Sequence, residues 1–120
     1  MIDINTIYSV ILNSTSHLTC PTTGLEGIAL DILSFSRYCS DDTIGHYDMT
    51  KITFNVATGG LDNREVIKVI AQDLTSTLED TPYSLKTIHL DTPSRLTFNA
   101  RKGEVRSSKG EQTLTLHIKG

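Results

Sequence analysis

The sequence predicts an α+β fold in a single domain spanning residues 1–120, with one sheet packed against two helices in the order α-β-β-α-β-β. Three observations carry this expectation. Two segments repeat their apolar residues at helical spacing, four others alternate with period two, and no linker or internal repeat divides the 120 residues. A chain of this length can bury enough surface for one hydrophobic core, and a sheet with two apolar helices on one face satisfies every apolar stripe.

Each element has its own local justification. From Asp3 to Ser14, residues Ile4, Ile7, Tyr8, Ile11 and Leu12 fall on one face of a helix, with Asp3 as its N-cap. The Thr/Ser/Gly/Pro-rich stretch from Ser14 to Gly27 reads as a loop whose length favours a working role. Ile28, Leu30 and Ile32 alternate with Ala29 and Asp31 in a first strand, which Leu33 to Tyr38 continue after a bulge. Turn chemistry from Cys39 to Gly45 precedes a second strand with Ile52, Phe54 and Val56 on its apolar face, running to about Thr58.

Gly59-Gly60 and Asp62, with Glu65 three residues on, form a break and a helix start. The helix from Asn63 to Leu78 has Val66, Val69, Ile70, Asp73, Leu74, Thr77 and Leu78 along its seam, with Ile67 alongside, and cannot continue through Thr81-Pro82. Ile88 and Leu90 open a third strand that bends at Pro93 and resumes through Leu96 and Phe98. A charged excursion from Arg101 to Gly110 leads to the last strand, where Leu114, Leu116 and Ile118 alternate with polar neighbours.

Composition narrows the function. Hydrophobic residues make up 38% and charged residues 21%, which excludes collagen-like, rod-like and disordered classes. The net charge of −3 disfavours autonomous, charge-driven binding to DNA or an anionic membrane. Met1 to Asn5 carries an acid where a signal peptide needs cations, so neither export nor a membrane span is expected. Cys20 and Cys39 lie outside any Cys-x-x-Cys motif and read as free thiols in a reducing compartment.

No chemical constellation stands out. Gly59-Gly60 precedes a helix N-terminus but lacks a phosphate-loop motif, and Asp62 is placed to take the same donors. His17, His46, His89 and His117 show no metal-ligand spacing, although His89 and His117 share the polar parity of two strands that can pair. Cys39, Asp42 and His46 could be drawn as nucleophile, orienter and base, but residues so close in one turn seldom reach triad geometry. Asp41-Asp42 and Glu79-Asp80 read as solvated acids at turns and a helix end. The sequence therefore points to a non-enzyme with no cofactor and no metal.

The strongest charge asymmetry is Arg101, Lys102, Arg106 and Lys109 against Glu104 alone. These four cations are the candidate protein-interface residues. Two readings stay open for them: a solvated hairpin tip, or a contact with an acidic protein surface or phosphate.

Tyr47 to Asn55 as a strand, the acid-capped helix Asn63 to Leu78, the exit Leu78 to Leu85, and the charged loop with Gly103 and Gly110 before Leu114 to Ile118 resemble the tail-completion or tail-terminator proteins of long-tailed bacteriophages. The N-terminal helix and the element order fit as well. The resemblance rests on layout and covers most of the chain, whereas Thr19 to Gly27 and Arg37 to Gly45 match no part of that pattern.

That resemblance implies a non-enzymatic virion assembly protein found at the tail-head junction, and in the host cytoplasm during assembly. It would form a homo-oligomeric ring, a hexamer, on the tail tube protein, end tube polymerisation and offer a surface to the head connector protein. DNA would pass through without specific binding. A compact 120-residue sphere has a radius of gyration of roughly 14 Å and a diameter of about 36 Å, and six in a ring leave a similar hole. The alternatives are another phage neck or minor capsid adaptor, a small monomeric binding module, and a small enzyme built on the thiol or histidine groupings.

Overall fold

The computed structural model describes residues 2–39, 47–91, 94–99, 104–109 and 112–120, with the backbone alone for 94–99 and 104–109. The fold is α+β. Helix α1 (Ile4–Thr15) precedes strands β1 (Ala29–Tyr38) and β2 (Met49–Ala57), then helix α2 (Asn63–Leu78) and strand β3 (Ser84–Asp91). Strands β4 (Ser94–Asn99), β5 (Glu104–Lys109) and β6 (Gln112–Lys119) complete the described chain.

Both helices begin as their sequences dictate. The Asp3 carboxylate accepts from the Asn5 N–H at 2.9 Å, and the Asp62 carboxylate accepts from the Arg64 N–H at 3.0 Å, satisfying donors that a first helical turn leaves free. The end of α1 is closed by hydroxyls: Thr15 donates to the Ile11 carbonyl at 2.9 Å and Ser16 to the Asn13 carbonyl at 2.8 Å. The seam of α2 is narrower than expected, because Val66, Ile70, Leu74 and Leu78 are buried, Ile67 and Val69 half-buried, and Asp73 and Thr77 exposed. A row at every fourth residue is what faces the sheet.

The main sheet has the order β1-β2-β6-β3 with every pairing antiparallel. Both helices cover one face. Ile52, Phe54 and Val56 of β2 and Leu114, Leu116 and Ile118 of β6 meet Ile7 and Ile11 of α1 and Val66, Ile70 and Leu74 of α2 in one core. α2 packs along α1 and β3, whereas α1 meets β1 only slightly, with the Tyr8 hydroxyl donating to the Leu30 carbonyl at 3.0 Å.

The four-strand expectation needs correction. The expected bent third strand is two strands, β3 in the main sheet and β4 in a separate two-stranded sheet with β5, and the expected charged loop contains β5. From the Asp91–Thr113 pair to the Ser94–Lys109 pair the outgoing chain takes three residue steps and the returning chain four, so the register shifts by one residue between the two ladders. Among the described residues, the β4–β5 ribbon touches no other helix or strand. The molecule measures 55 × 36 × 20 Å with a radius of gyration of 17.1 Å, so the compact-sphere expectation and the ring hole derived from it do not hold.

The long loop after α1 has a structural explanation. Thr19 bridges Glu26, the Cys20 N–H donates to the Leu25 carbonyl at 2.9 Å, and the Gly27 N–H donates to the Leu18 carbonyl at 2.9 Å. It is a small hairpin, and Cys20 and Leu18 join the core from it.

Candidate interaction surface

The first strand departs most from its sequence expectation. Leu30 is buried, but Ile32 and Phe35 are 45% and 37% exposed although they pair with the buried Phe54 and Ile52 and therefore share the helix-covered face. Between them Leu33, the extra residue of the bulge, is 53% exposed. The periodicity was legible, but whether a helix lies over it was not. α1 meets β1 only slightly, and among the described residues Ile32, Leu33 and Phe35 stand exposed.

Leu25 and Tyr47 flank the same strand, at 59% and 62% exposed. Leu25 lies before β1, where a Cβ added at Gly59, beyond the end of β2 that pairs with Ala29, would sit 3.5 Å from Leu25 Cδ1. The Tyr47 carbonyl, near the opposite end, accepts from the Arg37 guanidinium. Among the described residues, all five large hydrophobic side chains that stand exposed thus lie on β1 or beside it. Burying such a side chain fully stabilises by roughly 1.5–3 kcal/mol, so covering this strip would contribute a few kcal/mol. A concentration of exposed apolar side chains along one edge strand is a feature of contact surfaces.

The edge is nevertheless held firmly. Arg37 donates to the Tyr47 carbonyl, to the Gly120 carbonyl at 3.1 Å and to the Thr50 hydroxyl at 3.4 Å. On the polar face of the sheet the Tyr38 hydroxyl bonds His117 Nδ1 at 2.6 Å, with the rings edge to face.

Of the four candidate interface cations, Arg101 and Lys102 lie outside the described residues. Arg106 and Lys109 have their backbones in β5, and their side chains lie outside the described set. The charge of the whole segment is clear from sequence: residues 94–109 hold five of the eleven cations and one of the fourteen acids, a net +4, leaving −7 on the remainder.

The other candidate groupings are accounted for as follows. Asp41, Asp42 and His46 lie outside the described residues, and Cys39 is half-buried just past β1. His17 is exposed. His89 and His117 do share a face, since Thr87 pairs with His117 and His89 with Thr115. His89 Nε2 lies 2.8 Å from Asp91 Oδ1 in an exposed pair, while Tyr38 occupies His117. Among the described residues no three His, Cys, Asp or Glu side chains converge as metal ligands.

Gly59 and Gly60 adopt φ of +61° and +92°, and the Leu61 N–H donates to the Thr58 carbonyl at 3.1 Å, so this segment is a turn feeding the Asp62 cap. Glu79 is the C-cap of α2 and Asp80 is exposed beside it. A groove of about 860 Å³ opens between the end of α2 and the start of β3, lined by Gln72, Thr75, Glu79, Pro82, Tyr83 and Leu85. Its lining offers hydroxyls, apolar surface and one carboxylate, that of Glu79.

Cys20 is 1% exposed and its Sγ lies 3.2 Å from the Thr22 hydroxyl. Hydrogen bonds from the Thr22 and then the Thr23 side chain lower its pKa from 9.0 to about 6, against burial, which pushes it up. Gly60 closes over the sulfur, because a Cβ there would sit 3.2 Å from Sγ. Sequence reasoning did not find this polarised thiol, because the hydroxyls two and three residues along act on it only once the loop has folded.

Among the described residues no helix is long and apolar enough to cross a membrane. Compared with family models, with curated proteins and with solved structures, the chain matches none.

Proposed function

We propose that this chain is a non-enzymatic assembly protein that closes into a ring on the tail tube of a long-tailed bacteriophage, ends tube polymerisation and presents a surface to the head connector. The layout resemblance supplies the identity of the assembly. The observation that carries the associating role is the bare apolar strip along β1 on a chain that also extends a cationic ribbon from an acidic body. A domain of this size gains by covering such a strip, and a symmetric oligomer covers it in every copy at once.

The ribbon gives the proposal its electrostatics. Each cation is presented once per subunit, and contacts worth under about 1 kcal/mol singly add up around a ring. Changing Arg101, Lys102, Arg106 and Lys109 to Glu should leave the fold nearly unaltered and stop tail completion, and the wild-type interaction should weaken as salt rises. Normal tail yield from that variant would return these residues to a solvated tip. A variant lacking the side chains of His89, His117 and Cys39 should complete tails normally. Loss of function from it with the fold intact would reopen a chemical role.

Light scattering together with electron microscopy of tail ends tests the reading as a whole. Rings in solution or on tube ends are expected. A protein that stays monomeric and never appears on tails would instead be a monomeric binding module, and rings found at the portal side alone would mark a neck adaptor.

A further inference from the structure

We propose that the β4–β5 ribbon of one copy lies along the β1 edge of the next copy and covers Ile32, Leu33 and Phe35. This rests on the ring reading above and specifies the contact that closes it. The ribbon first requires a partner of some kind. A two-stranded hairpin alone is marginally stable in water, and this one touches no other described element of its own chain. Its sequence is built like one half of an interface: by register Leu96 lies opposite Ser107 and Phe98 opposite Val105, while the intervening positions pair Thr97 with Arg106 and Arg95 with Ser108. One set of alternate positions therefore holds Leu96, Phe98 and Val105 together with Lys109 at its open end, and the other holds Arg95 and Arg106 with Glu104.

The β1 edge is the complementary half. As the outer strand of the sheet it has a row of backbone donors and acceptors that β2 does not use, which is the template for strand addition. Its exposed apolar side chains lie beside that row. Net charge is opposite in sign, +4 on the segment against −7 on the rest of the chain, while β1 itself is neutral, with Asp31 and Arg37.

Topology makes the occupant a second copy. The ribbon continues the β3–β6 hairpin beyond the Asp91–Thr113 pair, and β3 is the strand at the opposite edge from β1. With strands about 4.8 Å apart, a ribbon leaving from β3 and β6 would have to turn back across roughly 10–15 Å of its own sheet to reach its own β1. Donor and acceptor at opposite edges of one subunit give a head-to-tail contact, which closes into a ring when the rotation per subunit allows. Six residues per strand span about 20 Å, enough to run beside the stretch from Ile32 to Phe35.

The test compares wild type with a variant in which residues 94–109 are replaced by Gly-Asn-Gly. Scattering mass should fall from that of a ring to that of a single chain, 13.2 kDa before the deletion, with a nearly unchanged urea midpoint because the ribbon's backbone approaches no other described helix or strand. In a second measurement, made in a Cys39→Ser background, Leu33→Cys and Val105→Cys proteins are mixed and oxidised. A disulfide joining the two different chains is expected, and a ladder of linked chains when both changes are in one protein. A ring that survives loss of the ribbon overturns the exchange and leaves the ring reading standing. Absence of a bond between the two introduced thiols, or a bond confined to single chains of the doubly changed protein, also overturns it. Should the shortened variant fail to fold, the disulfide decides. A wild type that is monomeric in solution and on tails overturns both readings.

Discussion

The two edges of the main sheet are built from the same kind of strand and end up in opposite states. Both β1 and β3 are antiparallel edge strands, and each carries one extra residue at a bulge. At β3 the extra residue is Lys86, α2 lies along the strand, and Leu90 is buried against the core. At β1 the extra residue is Leu33, α1 meets the strand only slightly, and Ile32 and Phe35 stand open. A charged residue at a bulge is a device that keeps an edge from pairing, and an apolar one invites it. Among the described residues, then, one edge of the sheet lies under a helix and the other leaves apolar side chains exposed.

Truncating equivalent side chains should break this comparison if it is wrong. Leu90→Ala on the closed edge should cost about 2–4 kcal/mol of stability in urea denaturation, since it leaves a cavity in the core. Ile32→Ala on the open edge should cost less than about 1 kcal/mol in the monomer, because the side chain has little packing to lose. Equal losses would mean that the β1 strip is covered within the monomer after all.

Exchanging the bulge residues sharpens the contrast at a smaller energetic cost. Leu33→Lys should leave monomer stability within about 0.5 kcal/mol and weaken self-association, and Lys86→Leu should strengthen it by opening the second edge. Sedimentation velocity across a concentration series distinguishes them, and a shift in the same direction for both would contradict the assigned roles of the edges.

The smallest expected effect lies in the loop before β1. A thiol lowered to about 6 in the folded chain and near 9.0 when unfolded binds fewer protons folded than unfolded across that interval. Its contribution to stability therefore grows as pH rises from about 6 to 9, is full above 9, and is lost as pH falls through 6. Thr22→Val should raise the thiol back toward its ordinary value. Thiolate absorbance against pH checks this, and an unchanged titration would show that the Thr22 hydroxyl does not hold the charge.

Much of this fold was legible in the chain. Asp3 and Asp62 cap the helices as their positions require, the helical stripes and the alternating runs of β2 and β6 are in the core, and the bulge in β1 falls after Ile32. These features depend on a few neighbouring residues. The split of the bent third strand was not legible, because Leu96 and Phe98 alternate as well as Ile88 and Leu90 do. The register of β4 with β5 shifts by one residue from that of β3 with β6, and nothing in the alternation of the sequence marks that shift.

By itself, then, the sequence determined both helices and strands β1, β2 and β6 with their apolar faces, because hydrogen-bond caps and side-chain periodicity act over a few residues, whereas β5 and the split of β3 from β4 were not legible in it. It also determined that cations gather between Ser94 and Lys109. Tertiary structure alone decided which apolar face receives a helix. Burial depends on the length and placement of an element distant in the chain, and α1 has twelve residues set beside α2, too little to roof both β1 and the centre of the sheet. For the same reason the most exposed apolar strip lies on a strand whose pattern reads as core.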